Sequence, residues 1–221
     1  MSAIKRAVIC AAGMGTKLEL DMPKCLVGVG GRCAIDYQIE SLSRVEQLRV
    51  VVGFMEERVM EHARRLRDDI VFVRNPNYAH SSYMQSLYLG TRGFGDDFLV
   101  VDGDILIDPV DFTDFLSSCD GRNSLLAITD SKSENAVYVK LDVVERNVLA
   151  FTESERSNCE WCGLAYLHGI PVDRNAISLF RELSRYLPLS AVRVKCYDLD
   201  TPDDLENALV NFKPCLEPKR C

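Results

Sequence analysis

Short apolar runs alternate with helical patterns through the first half of this 221-residue chain. Residues 6–12, 48–53 and 98–101 are largely apolar runs, which are typical of strands buried on both faces of a sheet. Helical patterns at 34–44 and 55–68 lie between these strands. Because parallel strands need crossover connections, usually helices, this order predicts an α/β fold with a mainly parallel sheet and helices on both faces.

The second half of the chain has a different pattern, in which short strand candidates are separated by turns. The predicted strands lie at residues 125–129, 137–141, 148–152, 161–167 and 192–199. A closing helix is predicted at 202–212. Another helix is predicted at 173–187, where one face collects Ile177, Phe180, Leu183 and Leu187.

No repeat or Gly/Ser-rich linker divides the chain, and its length suits one compact domain. We therefore expect a single domain over residues 1–221. Its α/β core would span 1–120, its second half 121–212, and a tail 213–221.

The charge balance narrows the classes of partner. The formal net charge is −7, with 26 basic and 33 acidic residues, which argues against broad binding to nucleic acids or anionic membranes. No apolar run is long enough to cross a bilayer, and the N-terminus has no signal-peptide pattern. The 9 cysteines have no regular spacing, so we expect free thiols in a reducing, cytoplasmic setting.

The first strand ends in a loop rich in small residues, Ala-Ala-Gly-Met-Gly-Thr-Lys at 11–17, followed by Pro23-Lys24. Consecutive backbone N–H groups in such a loop form an anion-binding concavity, and Lys17 and Lys24 add positive charge. The loop lacks the GxxxxGK(S/T) pattern of a Walker A motif, and it is not a dinucleotide fingerprint because Leu18 stands where a third Gly belongs. An ordinary strand-to-helix loop is the alternative.

Carboxylates cluster at two further positions. Asp102-Gly103-Asp104 follows a buried strand, where paired carboxylates are costly unless they are solvated, protonated or bound to a cation such as Mg²⁺. Asp198 precedes Asp200-Thr201, which can cap the closing helix, but capping does not require Asp198. A solvated turn and a simple cap are the alternatives.

Together these segments resemble the sugar-phosphate and alcohol-phosphate nucleotidyltransferases, which have a Rossmann-like fold with a mixed sheet. The resemblance runs along nearly the whole chain, and its motifs lie at 11–17 with 23–24, 51–54, 102–104 and 198–205. One segment, Asn75-Pro-Asn-Tyr78 followed by Ser86-Leu-Tyr88, resembles the sequences of one branch of this family. That branch includes the phosphocholine and 2-aminoethylphosphonate cytidylyltransferases.

The resemblance implies a role for particular residues. The nucleotide would be held by Ala11, Ala12, Gly13, Met14, Gly15, Thr16, Lys24, Ser86 and Asp102. The catalytic residues would be Lys17, Lys24 and Asp104. Asp104 and Asp200 would bind Mg²⁺, with Asp198 as a third carboxylate. Lys140, Glu153 and Trp161 would lie on the acceptor side.

The sequence departs from the family pattern at three places. Lys17 stands where Arg is usual, which keeps the charge but loses a bidentate contact to phosphate. The Asn that is common near Ser82-Tyr83 is absent, which leaves the choice of base open. The segment 152–155 is acidic where a Lys often follows the strand.

The expected reaction is the transfer of CMP from CTP to a small phosphate or phosphonate acceptor of the phosphocholine or 2-aminoethylphosphonate type, with release of pyrophosphate. Trp161, with Glu153, Glu155 and Glu160 nearby in sequence, would suit a cationic head group; plain packing of Trp161 is the alternative. A sugar-1-phosphate nucleotidyltransferase and a non-catalytic nucleotide-binding relative also stay open. So does a homodimer through the later strands.

Overall fold

The structure is a computed structural model, and it describes residues 4–18, 20–132 and 136–214. Most of the predicted tail at 213–221 therefore lies outside the described residues. The strands of the first half are β1 (Arg6–Ala11), β2 (Gly28–Val29), β3 (Arg32–Cys33), β4 (Gln47–Val52), β5 (Val71–Arg74), β6 (Asp97–Asp102) and β7 (Ile105–Ile107). Those of the second half are β8 (Leu125–Asp130), β9 (Tyr138–Leu141), β10 (Asn147–Thr152), β11 (Cys159–His168), β12 (Leu189–Arg193) and β13 (Cys196–Asp198).

The helices connect these strands. They are α1 (Ala34–Ser41), α2 (Glu56–Arg64), α3 (Tyr83–Thr91), α4 (Pro109–Ser118), α5 (Leu179–Leu183) and α6 (Pro202–Asn211). Short 3₁₀ turns lie at Thr16–Leu18, Lys24–Leu26 and Ser184–Tyr186. No helix of the described residues is long and apolar enough to cross a membrane.

Nine strands form one mixed sheet in the order β5-β4-β1-β6-β11-β8-β12-β10-β9. The first four are parallel neighbours, as the apolar runs predicted. β11 is antiparallel to both β6 and β8, so the two halves of the chain share one sheet. β12 pairs in parallel with β8 and antiparallel to β10, and β9 lies at the far edge. The predicted fold class is confirmed.

Helices cover both faces of this sheet. Successive side chains of β1 point to opposite faces, and each face packs in its own apolar cluster. Ala7 and Ile9 face a cluster that contains residues of α1, α2 and α4. Val8 faces the opposite cluster, which contains residues of α3 and α5. Because side chains on both faces of β1 are buried, its sequence is an unbroken apolar run.

The helix predicted at 173–187 was wrong in its extent. The α-helical part is only α5, and one 3₁₀ turn follows it. Leu179 and Leu183 are buried, but Ile177 is 75% exposed and does not belong to an apolar helix face. The predicted helix was too long because apolar residues occur at helical spacing outside the segment that packs on the sheet. The strand predicted at 192–199 is instead divided into β12 and β13, which belong to different sheets.

Gly90 in α3 allows this helix to pack closely on the sheet. A Cβ built at Gly90 would lie 2.6 Å from a methyl carbon of Val8 and 2.6 Å from one of Val51. Both contacts are too short, and both valines are fully buried and cannot move away easily. The close approach of α3 to β1 and β4 therefore depends on a residue with no side chain.

We expect Gly90→Ala to destabilise the protein. Overpacking costs about 1–3 kcal/mol and helix propensity returns roughly 1 kcal/mol, so the net loss is up to about 2 kcal/mol. Urea unfolding measures it. Gly28→Ala is the matched control, because the nearest atom to its added Cβ lies 4.0 Å away. Equal unfolding midpoints for the two variants would contradict this account of the packing.

Candidate active site

A cleft of about 260 Å³ opens at the carboxyl ends of β1 and β6. Ligands of open α/β sheets bind at this edge. The loop after β1, the turn after β6 and the N-terminus of α3 supply its walls. Of the residues that the sequence nominated, the cleft is lined by Ala11, Ala12, Gly13, Lys24, Ser86, Asp102 and Asp104.

The loop after β1 is held open toward the cleft by contacts behind it. The carbonyl of Ala12 accepts a hydrogen bond from Phe54 N–H at 3.1 Å. A Cβ built at Gly13 meets nothing within 4 Å, so a ligand can approach the backbone there. Gly15 has φ +64°, and a Cβ on it would lie 2.7 Å from Lys24 Cγ. Gly15 therefore serves to place the Lys24 stem, and it does not line the cleft.

Met14, Thr16 and Lys17 lie farther along the same loop and do not line the cleft. Thr16 and Lys17 begin a 3₁₀ turn that is closed by Leu18 N–H donating to the Gly15 carbonyl at 3.0 Å. The charge of Lys17 still reaches the carboxylates, since it contributes to lowering the pKa of Asp200. Its predicted catalytic role remains a prediction.

Lys24 connects two carboxylates that come from distant parts of the chain. Its Nζ lies 3.0 Å from Asp104 Oδ2 and also contacts Asp200 Oδ1 directly. Burial opposes the charge of Lys24, but Asp104 and Asp200 together raise the pKa of its ammonium group. Burial likewise opposes ionisation of Asp200, yet Lys24 lowers the pKa of that carboxyl. Lys24 and Asp200 therefore form a charged pair.

Asp198 adds a third carboxylate beside this pair. β13 is antiparallel to β7 with Asp198 opposite Ile105, and Leu199 N–H donates to the Asp104 carbonyl at 2.9 Å. Burial, and then the charge of Asp104, raises the pKa of Asp198 to about 8. Burial also raises the pKa of Asp104, although Lys24 opposes the shift.

This set of donors fits a hard divalent cation. Asp104, Asp198 and Asp200 offer only carboxylate oxygens, the ligands that Mg²⁺ prefers. Besides burial, the charges of Asp104 and Asp200 raise the pKa of Asp198, and the ammonium of Lys24 already stands in as a cation between Asp104 and Asp200. A divalent ion bound there would share or take over that position.

Asp102 points to a different side of the same turn. Its carboxylate accepts a hydrogen bond from the Tyr83 hydroxyl. Burial, and then the charge of Asp104, raises its pKa well above the usual range. Gly163 approaches from β11 with φ +79°, and a Cβ there would collide with the Asp102 carboxylate. The backbone of the turn is held by Gln38, whose amide donates to the carbonyls of Asp102 (2.8 Å) and Ile105 (2.9 Å).

The wall opposite the loop is organised by Asn75, which is 1% exposed. Its amide nitrogen donates to Ser81 Oγ at 2.8 Å and to Ser86 Oγ at 2.9 Å. Ser82 caps α3 by accepting from Gln85 N–H at 3.3 Å. The predicted residue Ser86 is therefore linked to Ser81 through Asn75, and both serines line the cleft together with Ser82.

The predicted acceptor residues do not line this cleft. Lys140 forms an exposed ion pair with Glu155, and Glu153 pairs with Arg181 at 3.0 Å. Trp161 is partly buried, packs edge-on against Phe151 at 6.3 Å between ring centroids, and donates from Nε1 to the Leu164 carbonyl at 3.2 Å. Their acceptor role remains a prediction.

Several groups at the cleft have no role that their sequence pattern indicates. Tyr83, Tyr78, Ser81 and Cys25 line it, and Gln38 supports its floor. From the sequence, Tyr83 stands out only as a position near which an Asn is common in the similar family. Its place at the first position of a helix, beside the predicted Ser86, was the signal that could have found it. The role of Gln38 could not be predicted in this way, because a helical pattern does not show which groups a buried amide hydrogen-bonds.

Known proteins resemble this chain in sequence. The bifunctional protein GlmU of Synechococcus elongatus is 33% identical over 100 residues, which are 44% of this chain and 22% of that protein. The choline-phosphate cytidylyltransferase of Streptococcus pneumoniae is 33% identical over 104 residues, which are 45% of this chain and 44% of that protein. The chain thus matches less than half of the length of either relative.

Solved structures share the fold over nearly the whole chain. The CTP:phosphocholine cytidylyltransferase of Streptococcus pneumoniae has a TM-score of 0.78 at 18% identity, covering 95% of this chain and 100% of that one. The UDP-glucose pyrophosphorylase from Acinetobacter baumannii has a TM-score of 0.70 at 19% identity, covering 95% and 93%.

A family assignment comes from residues 7–168, which match the MobA-like NTP transferase domain. The matched range includes the loop after β1, Lys24 and the turn at Asp102–Asp104. The matched range ends before β13, so it does not include Asp198 or Asp200. The pairing of β13 with β7 brings these two residues to the site. With about three quarters of its length matched, the chain belongs to the MobA-like NTP transferase family.

Proposed function

We propose that the protein transfers CMP from CTP to a small phosphate or phosphonate acceptor and releases pyrophosphate. One observation carries the proposal: the glycine-rich loop, Lys24 and the carboxylates Asp104 and Asp200 meet at one cleft. Backbone N–H groups, an ammonium and paired carboxylates are the groups that a nucleoside triphosphate with its cation requires.

The residues of the chain supply binding and charge stabilisation. The backbone of Ala11 to Gly13 would hold the triphosphate, and Lys24 would balance negative charge that develops as pyrophosphate leaves. The acceptor oxygen attacks the α-phosphorus in line and already carries negative charge, so the site needs no general base. Catalysis is then mainly positioning and electrostatics. Mg²⁺ held by Asp104 and Asp200, with Asp198 as the third ligand, would supply a Lewis acid for the α-phosphate.

The choice of CTP rests on relatives and on the serine-rich wall. A choline-phosphate cytidylyltransferase is similar in sequence, and a CTP:phosphocholine cytidylyltransferase is similar in fold. Ser81, Ser82 and Ser86 line the cleft and present hydroxyl groups, which both donate and accept hydrogen bonds. Such groups suit the carbonyl, ring nitrogen and amine of cytosine.

A phosphocholine or 2-aminoethylphosphonate acceptor is supported by the aromatic pair Phe151–Trp161. An aromatic face attracts a cationic head group. Glu153 and Glu155 contribute less than the sequence suggested, because Arg181 and Lys140 pair with them. We also propose a cytoplasmic location, and the homodimer stays an open alternative.

A sugar-1-phosphate acceptor is the second candidate. The fold match to a UDP-glucose pyrophosphorylase supports it, as do the two ion pairs that neutralise acidic residues near the predicted acceptor side. A neutral sugar would need no acidic cluster. A nucleotide-binding protein without turnover is the third reading.

An acceptor panel separates these candidates. We expect pyrophosphate release with CTP and Mg²⁺ when phosphocholine or 2-aminoethylphosphonate is present, and little release with UTP, ATP or GTP. Release only with glucose-1-phosphate would replace the acceptor proposal and keep the reaction class. Binding of CTP without release on any acceptor would favour the non-catalytic reading.

Trp161→Ala tests the acceptor side on its own. If the ring contacts a cationic head group, the KM for the acceptor rises about tenfold while the KM for CTP stays the same, since a desolvated cation–π contact contributes roughly 1–2 kcal/mol. Phe94→Leu is the control, because that ring packs against Phe98 and the Arg49 guanidinium. An unchanged acceptor KM would show that Trp161 serves only packing.

Asp104→Asn tests the carboxylate site. The isosteric amide should leave the fold intact, and we expect pyrophosphate release to fall at least roughly 100-fold, the scale for losing one charge-stabilising group. Asp130→Asn is the control, because this exposed aspartate pairs with Arg193 away from the cleft. Turnover like that of the wild type in Asp104→Asn would refute the metal assignment.

Lys24→Met tests the competition between the ammonium and a divalent ion. Met keeps an unbranched stem against Gly15 but removes the charge, which leaves Asp104 and Asp200 without their cation. Titration calorimetry without nucleotide should show several-fold tighter Mn²⁺ binding, although turnover falls. Weaker Mn²⁺ binding in this variant would mean that Lys24 and the metal do not share the carboxylates.

A further inference from the structure

Three metal-binding side chains of different chemistry converge on the face of the protein formed by α1 and α2. Cys33 Sγ, a carboxylate oxygen of Asp36 and a ring nitrogen of His62 all lie within 4.8 Å of one another. Cys33 and His62 are partly exposed, whereas Asp36 is 8% exposed. An ion from solution could therefore reach the three groups without opening the core.

We propose that Cys33, Asp36 and His62 form a second metal site, which binds a borderline-soft divalent cation such as Zn²⁺. A thiolate, an imidazole and a carboxylate are its usual ligands, at about 2.0–2.3 Å, and three protein ligands leave one position for water. Tetrahedral coordination at such lengths separates ligand atoms by roughly 3–4 Å. The three donor atoms lie within 4.8 Å of one another, so small side-chain movements would bring them to that spacing.

The local structure holds these ligands in place without an ion. Cys33 is the N-cap of α1, and Asp36 lies one turn later on the same side of the helix. Cys33 N–H donates to Asp36 Oδ2 at 3.1 Å, and the thiol accepts from the backbone of Asp36 in return. His62 Nε2 lies 2.6 Å from Asp36 Oδ1. The carboxylate is therefore fixed between the thiol and the imidazole.

The charges nearby permit a divalent ion. Arg32 Nε lies 4.0 Å from Asp36 Oδ2. The Arg32 guanidinium also donates to the Glu40 carboxylate at 2.5 Å, which partly neutralises its positive charge. The thiol is protonated in the metal-free protein, because burial and the Asp36 charge raise the pKa of Cys33. Metal binding replaces that proton, which passes to solvent, and the sulfur–metal bond forms with no change in oxidation state.

A bound ion would join α1 to α2. The same α1 carries Gln38, whose amide holds the backbone of the turn between Asp102 and Ile105. The ion would therefore stabilise the support of the cleft while lying apart from the carboxylates of Asp104 and Asp200. The site lies apart from the proposed active site, and its existence does not depend on the proposed CMP transfer.

Cobalt spectroscopy tests the site directly. Co²⁺ added to chelator-treated full-length protein should give, at one equivalent, a near-ultraviolet sulfur-to-cobalt charge-transfer band together with visible bands of tetrahedral Co²⁺. Cys33→Ser should abolish the charge-transfer band, and His62→Gln should weaken and shift the visible bands. Asp104→Asn should leave both unchanged, which separates this site from the carboxylates of the cleft.

Two results would overturn the proposal. No charge-transfer band in the wild type means that the thiol does not bind the metal, and an unchanged band in Cys33→Ser means that another cysteine does. Thermal unfolding with Zn²⁺ is the second readout: the melting temperature should rise in the wild type and in Asp104→Asn, but less in His62→Gln, which alters only a partly exposed side chain. Equal rises in the wild type and His62→Gln would indicate adventitious binding elsewhere.

Discussion

The ammonium of Lys24 between Asp104 and Asp200 is the interaction on which the candidate site depends. These carboxylates are 80 and 176 residues away from Lys24 in sequence, yet all three groups meet at one sheet edge. Asp198 is a third carboxylate nearby. These partly buried carboxylates repel one another, and without a cation they would take up protons or move apart. Lys24 provides that cation when no metal is present. The loop after β1, the turn after β6 and the segment after β13 are therefore coupled through charge.

The rest of the fold serves to bring these three segments together. β1 and β6 are parallel neighbours, so their carboxyl ends open on the same side of the sheet. The short pairing of β7 with β13 places Asp198 and Asp200 beside the turn, and α6 begins directly after them with a capping box at Thr201. Buried apolar contacts determine the sheet, and the polar site forms where its strands end.

The chain sequence predicted the parts of this arrangement that depend on local pattern. The apolar runs predicted β1, β4 and β6, because residues buried on both faces leave no alternation to misread. Helical spacing misled at 173–187, where the apolar residues lie partly outside any helix. The partners of Lys140, Glu153 and Tyr83 could not be predicted, since ion pairs and hydrogen bonds between distant segments depend on packing that no local pattern records.

The chain belongs to the MobA-like NTP transferase family, and we propose that nucleotidyl transfer takes place at the cleft. The most direct test of the account is a crystal structure with CTP and Mn²⁺, in which anomalous scattering locates the metal. We expect the triphosphate on the backbone of Ala11 to Gly13, and Mn²⁺ bound by Asp104 and Asp200 with Lys24 displaced toward the phosphates. A nucleotide elsewhere, or Mn²⁺ away from both carboxylates, would contradict the central claim.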